Sequence, residues 1–151
     1  MGRIIVVLLL GIITSLSSCD ENSCFVEDPK LRIEFFAVFN NAIKDTLVTG
    51  LSVKGIGMDS LLYDSAVNIQ RIELPLSPAH DSASFSLQIG NTLDILTVYY
   101  DKEPHQISLE CGYNFFYTIT RGTSTLNNFD SVLIINPAIN EDFNENIQIF
   151  L

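Results

Sequence analysis

Ser84-Phe85-Ser86-Leu87-Gln88-Ile89 alternates small polar and large apolar residues with a period of two. In a strand successive side chains point to opposite faces, so Phe85, Leu87 and Ile89 share one face and the serines and Gln88 the other: a strand with one buried face. Gly90-Asn91 follows as turn chemistry. Runs of the same kind recur on both sides. Residues 31 to 39 and 47 to 54 read as strands, the latter closed by Gly55-Ile56-Gly57 as a turn or bulge. Val67 to Leu74 changes phase around Arg71, as a bulge would, and Pro75 and Pro78 mark its end at a sheet edge. Leu93 to Tyr100 is nearly apolar and reads as a central strand. Asp101-Lys102-Glu103-Pro104 then reads as a turn into Gln106 to Leu109. Tyr113 to Thr120, Ser131 to Ile135 and Asn146 to Phe150 complete the series.

No apolar period of 3.6 persists over twelve residues after residue 25. Eight or nine short strands at roughly ten-residue spacing predict an all-β antiparallel β-sandwich, Ig-like or related, as one domain over residues 29–151. A transmembrane barrel needs strands of about 9 to 11 residues, longer than several of these runs. No repeat or second domain boundary is visible.

The chain has 151 residues, 47% of them hydrophobic and 17% charged, with a net charge of −10. The apolar excess is concentrated at the start. Arg3 precedes ten uncharged residues, Ile4 to Ile13, and then Ser15-Leu16-Ser17-Ser18-Cys19. A positive residue, a short apolar run and a small-residue cleavage site are the parts of a signal peptide, and the run is too short to span a membrane. Leu16-Ser17-Ser18-Cys19 resembles the lipobox of bacterial lipoproteins. That resemblance implies removal of residues 1–18 and acylation of Cys19, with residues 19–28 as a lipidated, polar tether. Asp20-Glu21 resembles the export signal that some Bacteroidota lipoproteins use to reach the outer face of the outer membrane. The expected location is therefore the outer membrane, facing the periplasm or the exterior. Removing residues 1–18 leaves 133 residues with 7 basic against 18 acidic side chains, a net of −11. Such a balance disfavours nucleic acid as a partner.

Cys24 and Cys111 remain once Cys19 is acylated. In an oxidising compartment an even remainder predicts a disulfide, here closing a loop of 87 residues. Two buried thiols or a reactive Cys111 are the alternatives. Neither has a Cys-x-x-Cys spacing or a neighbouring histidine in its favour.

Several stretches together are similar to a family of small Bacteroidota lipoproteins of unknown function. These are the lipobox, the second cysteine, Pro29 to Phe36, Leu51 to Gly57, Ile72-Glu73-Leu74-Pro75-Leu76, Cys111-Gly112-Tyr113 and Ile147 to Phe150. The family usually carries a basic residue or histidine just before the last strand, where this chain has Asn144-Glu145-Asn146. The resemblance implies a lipoprotein with a Cys24 to Cys111 bridge and implies no activity.

Chemistry is sparse. His80 and His105 lie beside proline-containing turns, too few for a zinc site. No Gly-x-Ser-x-Gly elbow occurs, and Gly55-Ile56-Gly57 lacks the third glycine and the helix of a dinucleotide site. No cofactor is expected. Glu141, Asp142 and Glu145 lie within five residues, a density of hard oxygen ligands that suits calcium, although without the spacing of an EF-hand, so a solvated loop is the plainer reading. Tyr99 and Tyr100 must point to opposite faces of a strand, which leaves one of them outward for binding. The expected function is a lipid-anchored envelope module, not an enzyme, that binds an envelope protein or glycan or serves as an accessory subunit. A small hydrolase using carboxylates and a calcium-binding surface module are the alternatives.

Overall fold

The computed structural model describes residues 27–109 and 111–151. Among them there is no helix, and so none long enough to cross a membrane. Eleven strands form two sheets: β1 (Lys30–Phe39), β2 (Ala42–Asp45), β3 (Leu51–Gly55), β4 (Tyr63–Ala66), β5 (Arg71–Pro75), β6 (Ser82–Ile89), β7 (Thr92–Ser108), β8 (Gly112–Ser124), β9 (Ser131–Ile134), β10 (Ala138–Ile139) and β11 (Ile147–Phe150).

One sheet runs β2-β1-β11-β9, with β5 also paired to β1. β5 lies along Lys30–Glu34 and β2 along Phe36–Phe39. β11 lies parallel to β1, with Ile33 opposite Ile147 and Phe36 opposite Phe150, the one parallel pairing among the described strands. The second sheet runs β10-β8-β7-β6-β3-β4, antiparallel throughout. Inward residues of both sheets meet in one core. Leu31, Ile33, Phe35, Ile72, Leu74, Ile147 and Ile149 come from the first sheet; Leu51, Val53, Phe85, Leu87, Leu96, Val98, Tyr117 and Ile119 come from the second. This is the layered arrangement that period-two burial requires.

β6 has the boundaries and the face that its alternation predicts, with Phe85 and Leu87 buried. Elsewhere the strands differ from the sequence reading. There are eleven rather than eight or nine, and two are long. β7 runs unbroken through Asp101-Lys102-Glu103-Pro104, and β8 continues past Arg121-Gly122 to Ser124. Beyond Tyr99, β6 no longer accompanies β7, and a strand with one open edge tolerates a proline. The stretch 47–54 contributes only β3, with Val48 in an isolated bridge to Ile69. There is no bulge at Arg71: Asn68 has φ 57°, and β5 starts cleanly at Arg71, with Pro75 its last residue.

The turn between β1 and β2 uses Asn40 and Asn41, at φ 52° and 60°. Two successive left-handed residues are what a tight hairpin of the I′ kind requires.

Candidate functional site

The chain enters the fold beside the start of β8. Asn114 Nδ2 donates to the carbonyl of Glu27 at 3.5 Å, and Asn114 is itself buried. Lys30, the first residue of β1, pairs with Glu27 and, at 3.7 Å, with Glu73. Cys111 lies three residues before Asn114. Its backbone N–H donates to Ser108 Oγ at 2.9 Å, and its thiol is not free. Cys24, the partner expected for it, and Cys19, the expected acylation site, lie outside the described residues.

Next to this entry point is a hollow of about 400 Å³ bordered by Glu27, Asp28, Lys30, Arg32, Glu141 and Phe143. Arg32 alternates with the inward Leu31 and Ile33, so it lies on the outer face of β1. Segment 140–146 covers that face and leaves Arg32 only 6% exposed. Its Nε donates to Glu73 Oε1 at 3.2 Å, Nη1 donates to the carbonyl of Asp142, and the Phe143 ring lies 4.9 Å from the guanidinium carbon. Arg71 holds the same segment from the neighbouring strand, donating to Glu34 and to the carbonyl of Phe143 at 3.3 Å. Asn146 anchors its end. Fully buried, Asn146 accepts from the Arg32 backbone N–H through Oδ1 at 2.9 Å and donates to the carbonyls of Asn136 and Ala138.

Glu145 accepts from Gln148 Nε2 at 2.7 Å through Oε1, while its buried Oε2 has no donor. Burial, and then a hydrogen bond to Glu34 that forms only when Glu145 carries a proton, hold its carboxyl above the ordinary range. The three acids expected to suit calcium are thus put to separate uses. Glu141 is on the rim of the hollow. Asp142 accepts from Asn140 Nδ2 at 3.2 Å. Glu145 belongs to the network around Glu34. Among the described residues no three acid, histidine or cysteine side chains gather around a metal position.

The tyrosine pair divides as the strand period requires. Tyr100 is in the core, its ring edge-on to Tyr117 at 5.3 Å and its hydroxyl donating to the Ser77 carbonyl at 3.0 Å. It also lies along a groove of about 560 Å³ that Ile56, Met58, Ser77 and His80 help to line. Tyr99 is on the outer face of the second sheet, with the Arg121 guanidinium 4.1 Å above its ring. Of the two, Tyr99 is the one turned outward, and its ring face is already taken by a cation.

Nothing in the local sequence marks Arg32, Arg71 or Asn146 as site residues. Each is brought into use by contacts across 72 to 114 positions of chain. A charged residue between two large aliphatics, as in Leu31-Arg32-Ile33, reads as solvated until the segment covering it is known.

The architecture defines an all-β, two-sheet domain with a charged hollow where its N-terminal segment joins. A family of unknown function (DUF6452) matches residues 50–151, and the chain belongs to that family. The matched part starts at Gly50, just before β3, and takes in every later strand. β1, β2 and the stretch Pro29 to Phe36 lie outside it. No curated protein and no solved structure matches the chain.

Proposed function

We propose that this protein is a lipid-anchored module of the cell envelope, of Bacteroidota type, that binds a partner rather than catalysing a reaction. The observation that carries the reading is Leu16-Ser17-Ser18-Cys19 behind Arg3 and a ten-residue apolar run. A thiol at the cleavage point is the one side chain that becomes a thioether to diacylglycerol. Two or three acyl chains then hold a domain stably where one does not. The folded body begins at Lys30, eleven residues after Cys19, which suits a short tether.

The disulfide belongs to the same proposal. Glu27 lies against Asn114, and three residues before each stand Cys24 and Cys111. Three extended residues reach about 10 Å on either side, so the two cysteines are within range of each other. A bridge there closes 87 residues and contributes about 4 to 5 kcal/mol in the chain-entropy account, less any native strain. It pins the tether to the body.

The acids bordering the hollow give the hydrolase alternative little support. Glu27 is tied to Lys30, whose hydrogen bond and charge hold its carboxyl below the ordinary range, the wrong direction for a general acid. Glu145, whose carboxyl is held above the ordinary range, is bonded to Gln148 and is not among the residues bordering the hollow. An outer-membrane binding module offers its partner exposed apolar side chains instead, and the β1–β2 hairpin carries Val38, Phe39 and Ile43, each more than half exposed.

Palmitate labelling of the native chain and of Cys19→Ala in a bacterial host tests the anchor. Label is expected in the first and absent from the second; equal labelling overturns the reading. Crosslinking in intact membranes tests the binding role, with one reproducible protein or glycan partner expected and none counting against it.

A further inference from the structure

The two ends of the sandwich differ in what they present. Glu27, three residues before β1, touches Asn114, and Asn114 lies across from His105 of β7. β1 ends level with Phe150, and Phe150 is level with Ser131. Just before Ser131, Phe129 donates its N–H to Asp94 near the start of β7. β1 and β7 therefore run in opposite directions along the body. The β1–β2 turn is at one end, and the β7–β8 turn, with the incoming N-terminal chain beside it, is at the other.

Beyond Lys102 and Tyr117, β7 and β8 continue as a two-stranded hairpin without their other sheet neighbours. Its tip holds Leu109, 94% exposed and the most exposed large apolar side chain among the described residues, and Tyr113, 66% exposed. His105 and Phe116 stack behind them at 4.4 Å. An exposed aliphatic side chain and an exposed tyrosine at one hairpin tip suit a membrane interface, where rings sit at headgroup level and aliphatic chains are buried.

We infer that the tip of the β7–β8 hairpin, through Leu109 and Tyr113, rests on the lipid surface to which the chain is anchored. The inference relies on the lipid anchor proposed above. The length of chain before the described residues argues for this occupant. Eight residues separate Cys19 from Glu27, a reach of at most about 27 Å from a residue already touching Asn114. A Cys24 to Cys111 bridge shortens the free tether to five residues, about 17 Å. Charge selects the kind of lipid. Glu103 is exposed on the hairpin just past Lys102, and Glu110 follows Leu109 in the sequence, so a zwitterionic surface fits and an anionic one repels.

The chain contains no tryptophan, so the variants Leu109→Trp and Ile43→Trp each carry a single indole reporter, at opposite ends of the body. The full acylated protein is reconstituted in phosphatidylcholine vesicles with and without brominated phosphatidylcholine. The indole of Leu109→Trp is expected to emit to the blue and to lose about half its intensity to bromine, and that of Ile43→Trp to do neither. Tyr113→Trp repeats the measurement should Leu109→Trp misfold by circular dichroism. Acylated Leu109→Trp protein with unquenched, solvent-like emission overturns the contact while leaving the anchor intact. Blue-shifted emission from Leu109→Trp without bromine quenching means that protein covers the tip, a second copy for instance, and also overturns it. A mass showing no acyl group at Cys19 removes the anchor itself, and the contact with it.

Discussion

Glu145 and Asp94 are carboxyls treated in opposite ways by their surroundings. Burial raises Glu145 first, and a proton shared with Glu34 raises it further, against the opposing pull of Gln148 and Arg71. With the folded pKa above the ordinary 4.5, the group's contribution is full below pH 4.5 and is lost as the pH rises through the folded value. Glu145→Gln keeps the size, supplies an N–H to Glu34 and cannot ionise. It is expected to gain about 1 kcal/mol at pH 7 and nothing at pH 4, read from urea midpoints. For Asp94 burial also acts to raise the pKa, but N–H groups of Asn127, Asn128 and Phe129 and the Thr125 hydroxyl outweigh it and hold the carboxyl below the ordinary 3.8. That stabilisation is complete above pH 3.8 and disappears as the pH falls through the folded value. Asp94→Ala should cost about 3 kcal/mol at pH 7, with the difference from the native chain narrowing in acid. A difference independent of pH would mean that the carboxylate's charge is not what holds the 125–129 turn.

At the scale of elements, what could be read from the sequence follows burial. β6 was legible because one of its faces is in the core and the other in water, so Phe85, Leu87 and the serines had to alternate. β2 was not, because all four of its residues are exposed and nothing constrains their pattern. The far half of β7 was hidden for the same reason: both of its faces are largely solvated, so Asp101 to Pro104 carry the composition of a turn while pairing with β8. The hollow was legible only in part. Of its border, Glu141 stands out in the sequence together with Asp142 and Glu145, but the contacts that define the surroundings of these acids, with Arg32, Asn140 and Glu34, depend on how segment 140–146 lies over β1. β11 shows how much depends on a pairing that local sequence does not reveal. Four residues long, it links β1 on one side to β9 on the other, with Ile149 fully buried. Ile149→Ala is expected to cost about 2 to 5 kcal/mol by leaving a cavity between the sheets. A loss under about 0.5 kcal/mol, the range of an ordinary surface change, would show that β11 is not central to the core.

For the whole molecule, the same end of the sandwich receives the N-terminal chain, holds Cys111 and carries the exposed Leu109, while the opposite end presents the apolar β1–β2 hairpin. On the proposed anchoring, the domain is tethered at the first end and leaves the second free for a partner. Every acid lies in residues 19–151, since residues 1–18 contain none, and on the proposed reading that balance favours basic or neutral partners. All of this depends on where the mature chain begins. The most direct measurement is the intact mass and N-terminal peptide of the protein extracted from the membranes of an expressing bacterium. The account predicts a chain of 133 residues starting at Cys19, heavier than its sequence by a diacylglyceryl group and released to water by lipase or alkaline treatment. A chain that keeps residues 1–18, or starts at another residue with no added mass, would contradict it.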